Sequence, residues 1–450
     1  MSLSRILSTA RQSLLASQAA TQATTNNVAN SETPGYTRRT VGLQTAPLAR
    51  SGVVFRSPPS PGGGVTVESF DRARSEILDA AVRRGRAGSS GAGEGAVLLG
   101  GLEGQLAAAG GDEMLGALGD FFAAWDDVAA APTEGGPRDS LLAAARDLAR
   151  TLASADDRVR AYGAGVQGEL AATVERANAL FAEVASLNET VRTARAQGAD
   201  NADALDRRDG LLDEIAGLVP ITVRPQASGA VTVTVGGMVA VQDKEARPLR
   251  LALPPAVPTP TVSAAGAPQP LRLDPTGGGA IGAQLHLLGT ALPDARASLD
   301  ALAAGLVAGV NAAHATGEGR DGVSGRPFFD PAGVTASSIA LAVSDPDHVA
   351  AGVGGPGDST VAASIAGLAE SASRQAARTL AGVGTEVRRA TAAAQASAAV
   401  TAHAEALRDG VSRVSLDEEM TNLVRYQQAY AASARVLQTA DAMFDTLLAL

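Results

Sequence analysis

NNVANSETPGYTRR, residues 26–39, is the stretch from which the rest of the chain is read. Asn26, Asn27 and Asn30 weaken a helix, because their short amide side chains compete for nearby backbone groups. Thr33 is pushed toward an extended conformation by Pro34. Pro34 and Gly35 suit the two central positions of a type II turn. A helix therefore stops here, and the chain leaves it in a set direction. Tyr36 is placed to anchor the exit, and Arg38 and Arg39 are expected to meet acids on an adjacent subunit. The stretch reads as a connector between an inner helix and an outer body.

Upstream, Leu3, Leu7, Ala10, Leu14, Ser17, Thr21, Thr24 and Val28 are spaced by four and three. That is a heptad seam, small and polar in its second half, so it needs a partner. The other end of the chain supplies one. Leu416, Met420, Leu423, Tyr426, Tyr430, Ser433, Leu437, Ala440, Phe444 and Leu447 repeat the same spacing. No Gly or Pro lies between Val411 and Leu450. Ser415 is an N-cap candidate, followed by Asp417, Glu418 and Glu419, acids favoured in a first turn and expected to be solvated there. Tyr426 and Tyr430 fit either packing within the chain or a seam shared between subunits. Both seams are poor in large apolar groups. They are expected to stay largely unfolded in a lone chain and to order when neighbours cover them.

Between the ends the pattern is mainly helical. Phe121, Phe122, Trp125 and Val128 form one apolar face, broken by APTEGGP at 131–137. Amphipathic segments follow at 141–162 and 170–196, and the glycine-rich span 85–116 reads as a helical stretch with breaks. At Pro220 the period changes to two. Val231, Val233 and Val235 alternate with threonines, and Gly236-Gly237 is a hairpin signal. Another strand is expected at 249–253, and a loop at 315–360. The fold class is mainly α with a small β insertion. The expected domains are a terminal helical pair (1–32 with 413–450), a discontinuous helical middle (33–218 with 280–412) and a small β-rich outer part (219–279).

Composition narrows the function. The net charge is −10, against a broad nucleic-acid-binding face or an anionic membrane surface. There is no cysteine, which removes thiol chemistry and disulfides. The first residues lack the apolar core of a signal peptide, and no run is long enough to span a bilayer. The four histidines are scattered. His314 and Glu318 share i, i+4 spacing, but a glycine-rich segment follows at once. His314 reads better as a helix-terminal residue facing the C-terminal dipole than as a metal ligand. The glycine triplets at 62–64 and 277–279 have no nucleotide-binding spacing. No catalytic, cofactor or metal residue is expected.

Taken together, the two terminal motifs resemble those of flagellar axial proteins. Four further segments, at 121–142, 203–241, 299–329 and 343–362, bring the likeness nearest to the hook-associated proteins of the hook–filament junction. The last contains Asp-Pro and Gly-Asp elements. The resemblance covers most of the chain in order; 242–276 matches nothing. It implies a non-enzymatic structural protein. Such a protein is exported unfolded and bound by a cytoplasmic chaperone at its C-terminal helix. It then self-assembles, as a ring or short helical segment, between the hook protein and the second junction protein. It implies a place outside the cell, on the flagellum. The alternatives are a rod or hook component, or a secreted hydrolase on the same scaffold.

Overall fold

The computed structural model describes residues 3–448 except 47–63, 109–110, 200, 253–260, 265–269, 272, 274–276 and 356. The chain opens with α1 (Leu3–Ala29), followed by an antiparallel hairpin of β1 (Arg39–Thr45) and β2 (Val65–Arg72). Four helices come next: α2 (Glu76–Ala108), α3 (Gly111–Ala130), α4 (Gly135–Ala196) and α5 (Ala202–Leu218). The β insertion holds β3 (Ile221–Pro225), β4 (Val231–Val235), β5 (Met238–Gln242) and β6 (Glu245–Ala246) as one antiparallel sheet in sequence order. β7 (Leu249–Ala252) and β8 (Thr261–Ala264) form a separate antiparallel pair. The chain returns through α6 (Gly279–His286), α7 (Leu292–His314), α8 (Thr360–Ala366), α9 (Ala369–Ser412) and α10 (Leu416–Leu448).

Several local expectations change. The two segments at 141–162 and 170–196 are one helix of 62 residues. Glycine at 163, 165 and 168 weakens a helix, but the apolar repeat Val159, Val166, Leu170, Val174 runs through them on a buried face, and packing overrides propensity. A Cβ on Gly163 would lie 3.0 Å from a methyl of Leu292, so the missing side chain lets α7 approach. The glycine-rich span from 85 to 108 is likewise unbroken helix. At Gly85 an added Cβ would come within 3.2 Å of the Thr401 Cα, which brings α2 and α9 close together. A π-turn, Leu287–Ala291, joins α6 to α7 just before Pro293. Proline has no N–H to donate, so the regular ladder cannot pass through it. The hairpin β1–β2 carries no turn signal in the sequence, because its two strands are joined by a long connection and their register shifts at Gly42/Leu43.

In the insertion, Val231, Val233 and Val235 are buried while the threonines between them are half-buried. Gly236 and Gly237 both take positive φ, 55° and 84°, as a two-residue hairpin turn needs. Two asparagines of α4 clamp the insertion. Asn188 Nδ2 donates to Val231 O and Asp243 O, and its Oδ1 accepts from Val231 N–H. Asn178 exchanges both bonds with the backbone of Leu249.

The apolar core runs from Leu98 to Ala376 and takes in α4, the inner face of the sheet, α6, α7 and α8. Its centre is aromatic. Phe121 lies 5.0 Å from Phe122, 6.0 Å from Phe328 and 5.8 Å from Phe329, and Trp125 lies 5.2 Å from Phe328. In an aromatic-poor chain these residues hold the loop 315–360 against α3. Among the described residues, none of α1, β1, β2 or α10 belongs to this core.

Candidate functional site

α1 and α10 run antiparallel. Ser13 Oγ meets Ser433 Oγ at 2.8 Å, and Asn27 meets Glu419 at 3.1 Å, two contacts whose residue numbers have the same sum. The buried seam is small and polar: Ala10, Ala16, Ser17, Ala20, Ala23, Thr24 and Asn27 face Glu419, Ser433 and Ala440. Side chains this small let the helix axes approach closely, which explains pairing without large apolar groups. The expected seam is thus divided. Leu7, Leu14 and Val28 on α1, and Leu423, Tyr426 and Leu437 on α10, are half-buried beside it. Leu416, Met420, Tyr430 and Phe444 point outward, 49%, 52%, 41% and 49% exposed. The side chains of Leu3 and Leu447 lie outside the described residues. The two terminal helices pair with each other within the single chain.

The connector closes this pair. Tyr36 N–H donates to Thr33 O at 3.2 Å, and Gly35 has φ +80°, the geometry of a type II turn over Thr33–Tyr36. Asn30 Nδ2 donates to Asn26 O, wrapping the helix end. Asn27 is buried and uses every bonding site it has. Its Nδ2 donates to Arg39 O (2.9 Å) and Glu419 Oε2 (3.1 Å). Its Oδ1 accepts from the Tyr36 hydroxyl and the Arg39 N–H, both at 2.9 Å. Burial pushes the Tyr36 hydroxyl above its ordinary pKa despite Arg39, so it keeps its proton and donates.

Arg38 corrects two expectations. Its Nε reaches Glu419 at 2.8 Å and its Nη1 reaches Glu418 at 3.1 Å, acids of the same chain and not of a neighbour. Glu419 is not a solvated partner of the helix dipole. It is 2% exposed and held by Asn27 and Arg38 together. The backbone also joins in: Arg38 N–H donates to Ser412 O, and Ala73 N–H to Arg38 O. One residue therefore ties the exit of α1, the end of α9, the start of α10 and the end of β2.

A second set of residues carries no motif in the sequence. Asp203, Asp206, Asp209 and Asp213 recur every three or four positions on α5. Arg39 pairs with Asp203, and Arg72 lies 2.8 Å from both Asp206 and Asp209. Arg74 pairs with Asp209 and Asp79, and Arg408 with Asp213. The three-and-four spacing was the available signal, but only the fold brings the arginines, scattered over the chain, to it.

His314 is a core residue. It is 1% exposed; Nδ1 lies 2.8 Å from Arg326 O, and Nε2 accepts from Ala350 N–H at 2.9 Å. Burial pushes its pKa down, so it is neutral, with the proton on Nδ1. The Gly-Asp element works as a local cap. Asp358 accepts from the N–H groups of Val353, Gly354 and Thr360 and from the Thr360 hydroxyl, which lowers its pKa to about 2. In the Asp-Pro element, Asp345 accepts from Asp347 N–H. Among the described residues no group of three or more His, Asp or Glu side chains is placed to hold a metal, and no helix is long and apolar enough to cross a membrane.

The fold is a helical body interrupted by a small sheet and closed by its own paired ends, and two family models put such a chain among the structural proteins of the bacterial flagellum. Residues 99–329 match the family described as flagellar hook-associated protein FlgK, helical domain, and 411–450 match the flagellar basal body rod FlgEFG protein C-terminal family. The first match spans just over half of the chain, which belongs to the FlgK family of flagellar hook-associated proteins. A flagellar hook-associated protein 1 from Bacillus subtilis is 27% identical over 98% of this chain and 97% of its own length. That from Salmonella typhimurium is 28% identical over 73% of this chain but only 59% of its own length. The flagellar hook junction protein FlgK from Burkholderia pseudomallei is similar in structure over 57% of this chain and 46% of its own, with a TM-score of 0.49 and 25% identity.

Proposed function

We propose that the chain forms the junction between hook and filament, adapting the hook lattice to the next junction protein and, through it, to flagellin. Its partners are then copies of itself in a ring or short helical segment, the hook protein, the second junction protein, and an export chaperone on the C-terminal helix before secretion. Its place is outside the cell, at the base of the filament, and its role is structural and not catalytic. The division into a terminal pair (1–32 with 413–450), a helical middle and a β-rich outer part belongs to the same reading. The separation of the terminal pair is supported by an apolar core confined to Leu98–Ala376, and that core is shared by the helical middle and the sheet, with Val231, Val233 and Val235 among its residues.

The observation that carries the reading is the outward face of α10. Leu416, Met420, Tyr430 and Phe444 are large, apolar and exposed, while the chain's own helix pair uses alanine and serine. A surface of this kind on a paired helix is suited to neighbouring subunits. The connector holds the pair in one orientation, through Asn27, Pro34, Gly35, Tyr36 and Arg38, so that the face is presented the same way in each copy.

Complementation of a deletion strain tests this. Met420→Asp combined with Tyr430→Asp leaves the α1–α10 pairing intact and should abolish incorporation, giving bare hooks by electron microscopy and flagellin in the medium. Leu423→Asp and Leu437→Asp fall beside the internal seam and should loosen the pair itself. Normal filaments from the Met420/Tyr430 double variant would refute the interface. Absent hooks in the deletion strain would move the protein down to the rod or hook.

A further inference from the structure

One side of α9 is uncovered. Of its 44 residues, only Ala372, Ala376, Gly384 and Thr401 are buried, and all four are small. Gly384 lies against Glu103 and Thr401 against Gly85, so α9 runs antiparallel to α2, away from the end that leads into α3. The other side carries Arg389, Ala396, Val400, His403, Leu407 and Val411, at spacings that define one helix face. Val400, Leu407 and Val411 are 66%, 50% and 43% exposed. No Asp, Glu, Lys or Arg lies between Arg389 and Glu405. Exposed valine and leucine on an uncharged, alanine-rich face suit contact with further helices better than contact with water. Arg388 and Arg389 stand at the N-terminal end of this run. Both are exposed, and neither meets an acid among the described residues; Arg388 donates to the Thr385 hydroxyl.

A matching surface lies elsewhere on the same chain. α3 and α4 enclose an open groove of about 850 Å³. Its walls are small: Gly116 and Ala117 on α3, Ala143 and Ala144 on α4. A Cβ on Gly116 would meet nothing within 4 Å, so the groove is open at that point. Glu113 and Asp120 stand exposed on its rim with no cation beside them among the described residues, whereas all four aspartates of α5 are paired. Within one chain residues 388–411 do not meet this groove: none of them lines it, and they follow α2 away from α3. We infer that the outer face of α9 seats in the α3–α4 groove of a neighbouring copy, with Arg388 and Arg389 against Glu113 and Asp120. The contact joins two different surfaces, so it repeats from copy to copy instead of closing a pair. Small side chains on both sides let the helices approach closely. The inference rests on the proposed assembly of copies into a ring or short helical segment, and it involves the helical body alone.

Charge exchange in the complemented deletion strain tests it. Arg388→Glu with Arg389→Glu, and separately Glu113→Arg with Asp120→Arg, should each cut the fraction of hooks bearing filaments at least about tenfold, because like charges then face each other. All four changes in one chain should restore at least about half of the wild-type fraction. Wild-type filament numbers from either pair, or no recovery from the four together, overturns the contact. Val400→Cys gives a readout that does not depend on charge, in a chain with no other cysteine. A maleimide should label it at least about tenfold faster in secreted monomer than in isolated flagella, where the contact excludes solvent. Equal rates overturn the contact, including where a charge variant fails to fold. A wild-type chain absent from isolated flagella defeats the assembly reading and this contact with it. A chain present there and labelled as fast as the monomer defeats the contact alone.

Discussion

Asn27→Ala is the sharpest test of how the connector is held. The substitution removes four hydrogen bonds at once, two to the backbone of Arg39, one from the Tyr36 hydroxyl and one to Glu419. At about 1 kcal/mol net for each bond, the loss has an upper bound of about 4 kcal/mol. Water entering the vacated space recovers part of it, and Glu419 keeps Arg38, so the expected cost is about 2–4 kcal/mol. That cost falls on the terminal unit, because among the described residues none of α1, the hairpin or α10 lies in the apolar core. Amide hydrogen exchange separates the two regions. Protection of Arg39 and of the first turns of α10 should fall roughly 30- to 700-fold, the same free energy expressed as a ratio. Protection in the middle of α4 should not change. Asn27→Asp should not rescue the protein: it keeps the acceptors but loses the donor and faces Glu419 with a like charge. Less than about a tenfold change at Arg39, or an equal loss throughout α4, would refute the view that Asn27 closes a separately stable unit.

Two pH dependences follow from the loop 315–360. His314 has a folded pKa below its ordinary 6.5 because of burial. Below pH 6.5 the unfolded chain therefore binds a proton that the folded one refuses. Stability should fall as the pH drops through that range, with a slope of up to about 1.4 kcal/mol per pH unit in urea titrations. His314→Gln should remove that slope, and a variant with the wild-type slope would show that another group titrates. Asp358 is shifted down from 3.8 to about 2 by its three N–H donors and the Thr360 hydroxyl. Its contribution is complete above pH 3.8 and is lost as the pH falls toward 2. Carboxyl NMR should find Asp358 still ionised at pH 3, and an ordinary titration near 3.8 would mean that the loop is open in solution.

The type II turn at Pro34-Gly35, the two-glycine hairpin turn at 236–237 and the change of period at Pro220 were legible because each depends on neighbours in sequence. Proline fixes its own φ and biases the residue before it, glycine alone accepts positive φ cheaply, and alternation of valine with threonine needs no distant partner. The heptads of both ends were legible for the same reason. Their pairing direction was not, since it rests on Ser13 meeting Ser433 and Asn27 meeting Glu419. The glycines of α2 and α4 misled, because local propensity counts them as breaks while packing uses them as contact points for Thr401 and Leu292.

The site divides along the same line. Sequence by itself determined that the chain begins and ends in helices, that the first helix must stop near Asn27, and which apolar residues each end can offer. Only the tertiary structure decided which of those residues the chain keeps for itself. A heptad names a face about 100° wide, and a small, close-packed seam consumes part of that face and leaves Met420 and Tyr430 outside it. Only the structure, too, brought arginines scattered over the chain to four aspartates on one helix. An ion pair depends on distance through space, and residues 39, 72 and 408 come to one helix face only after the chain has folded back on itself.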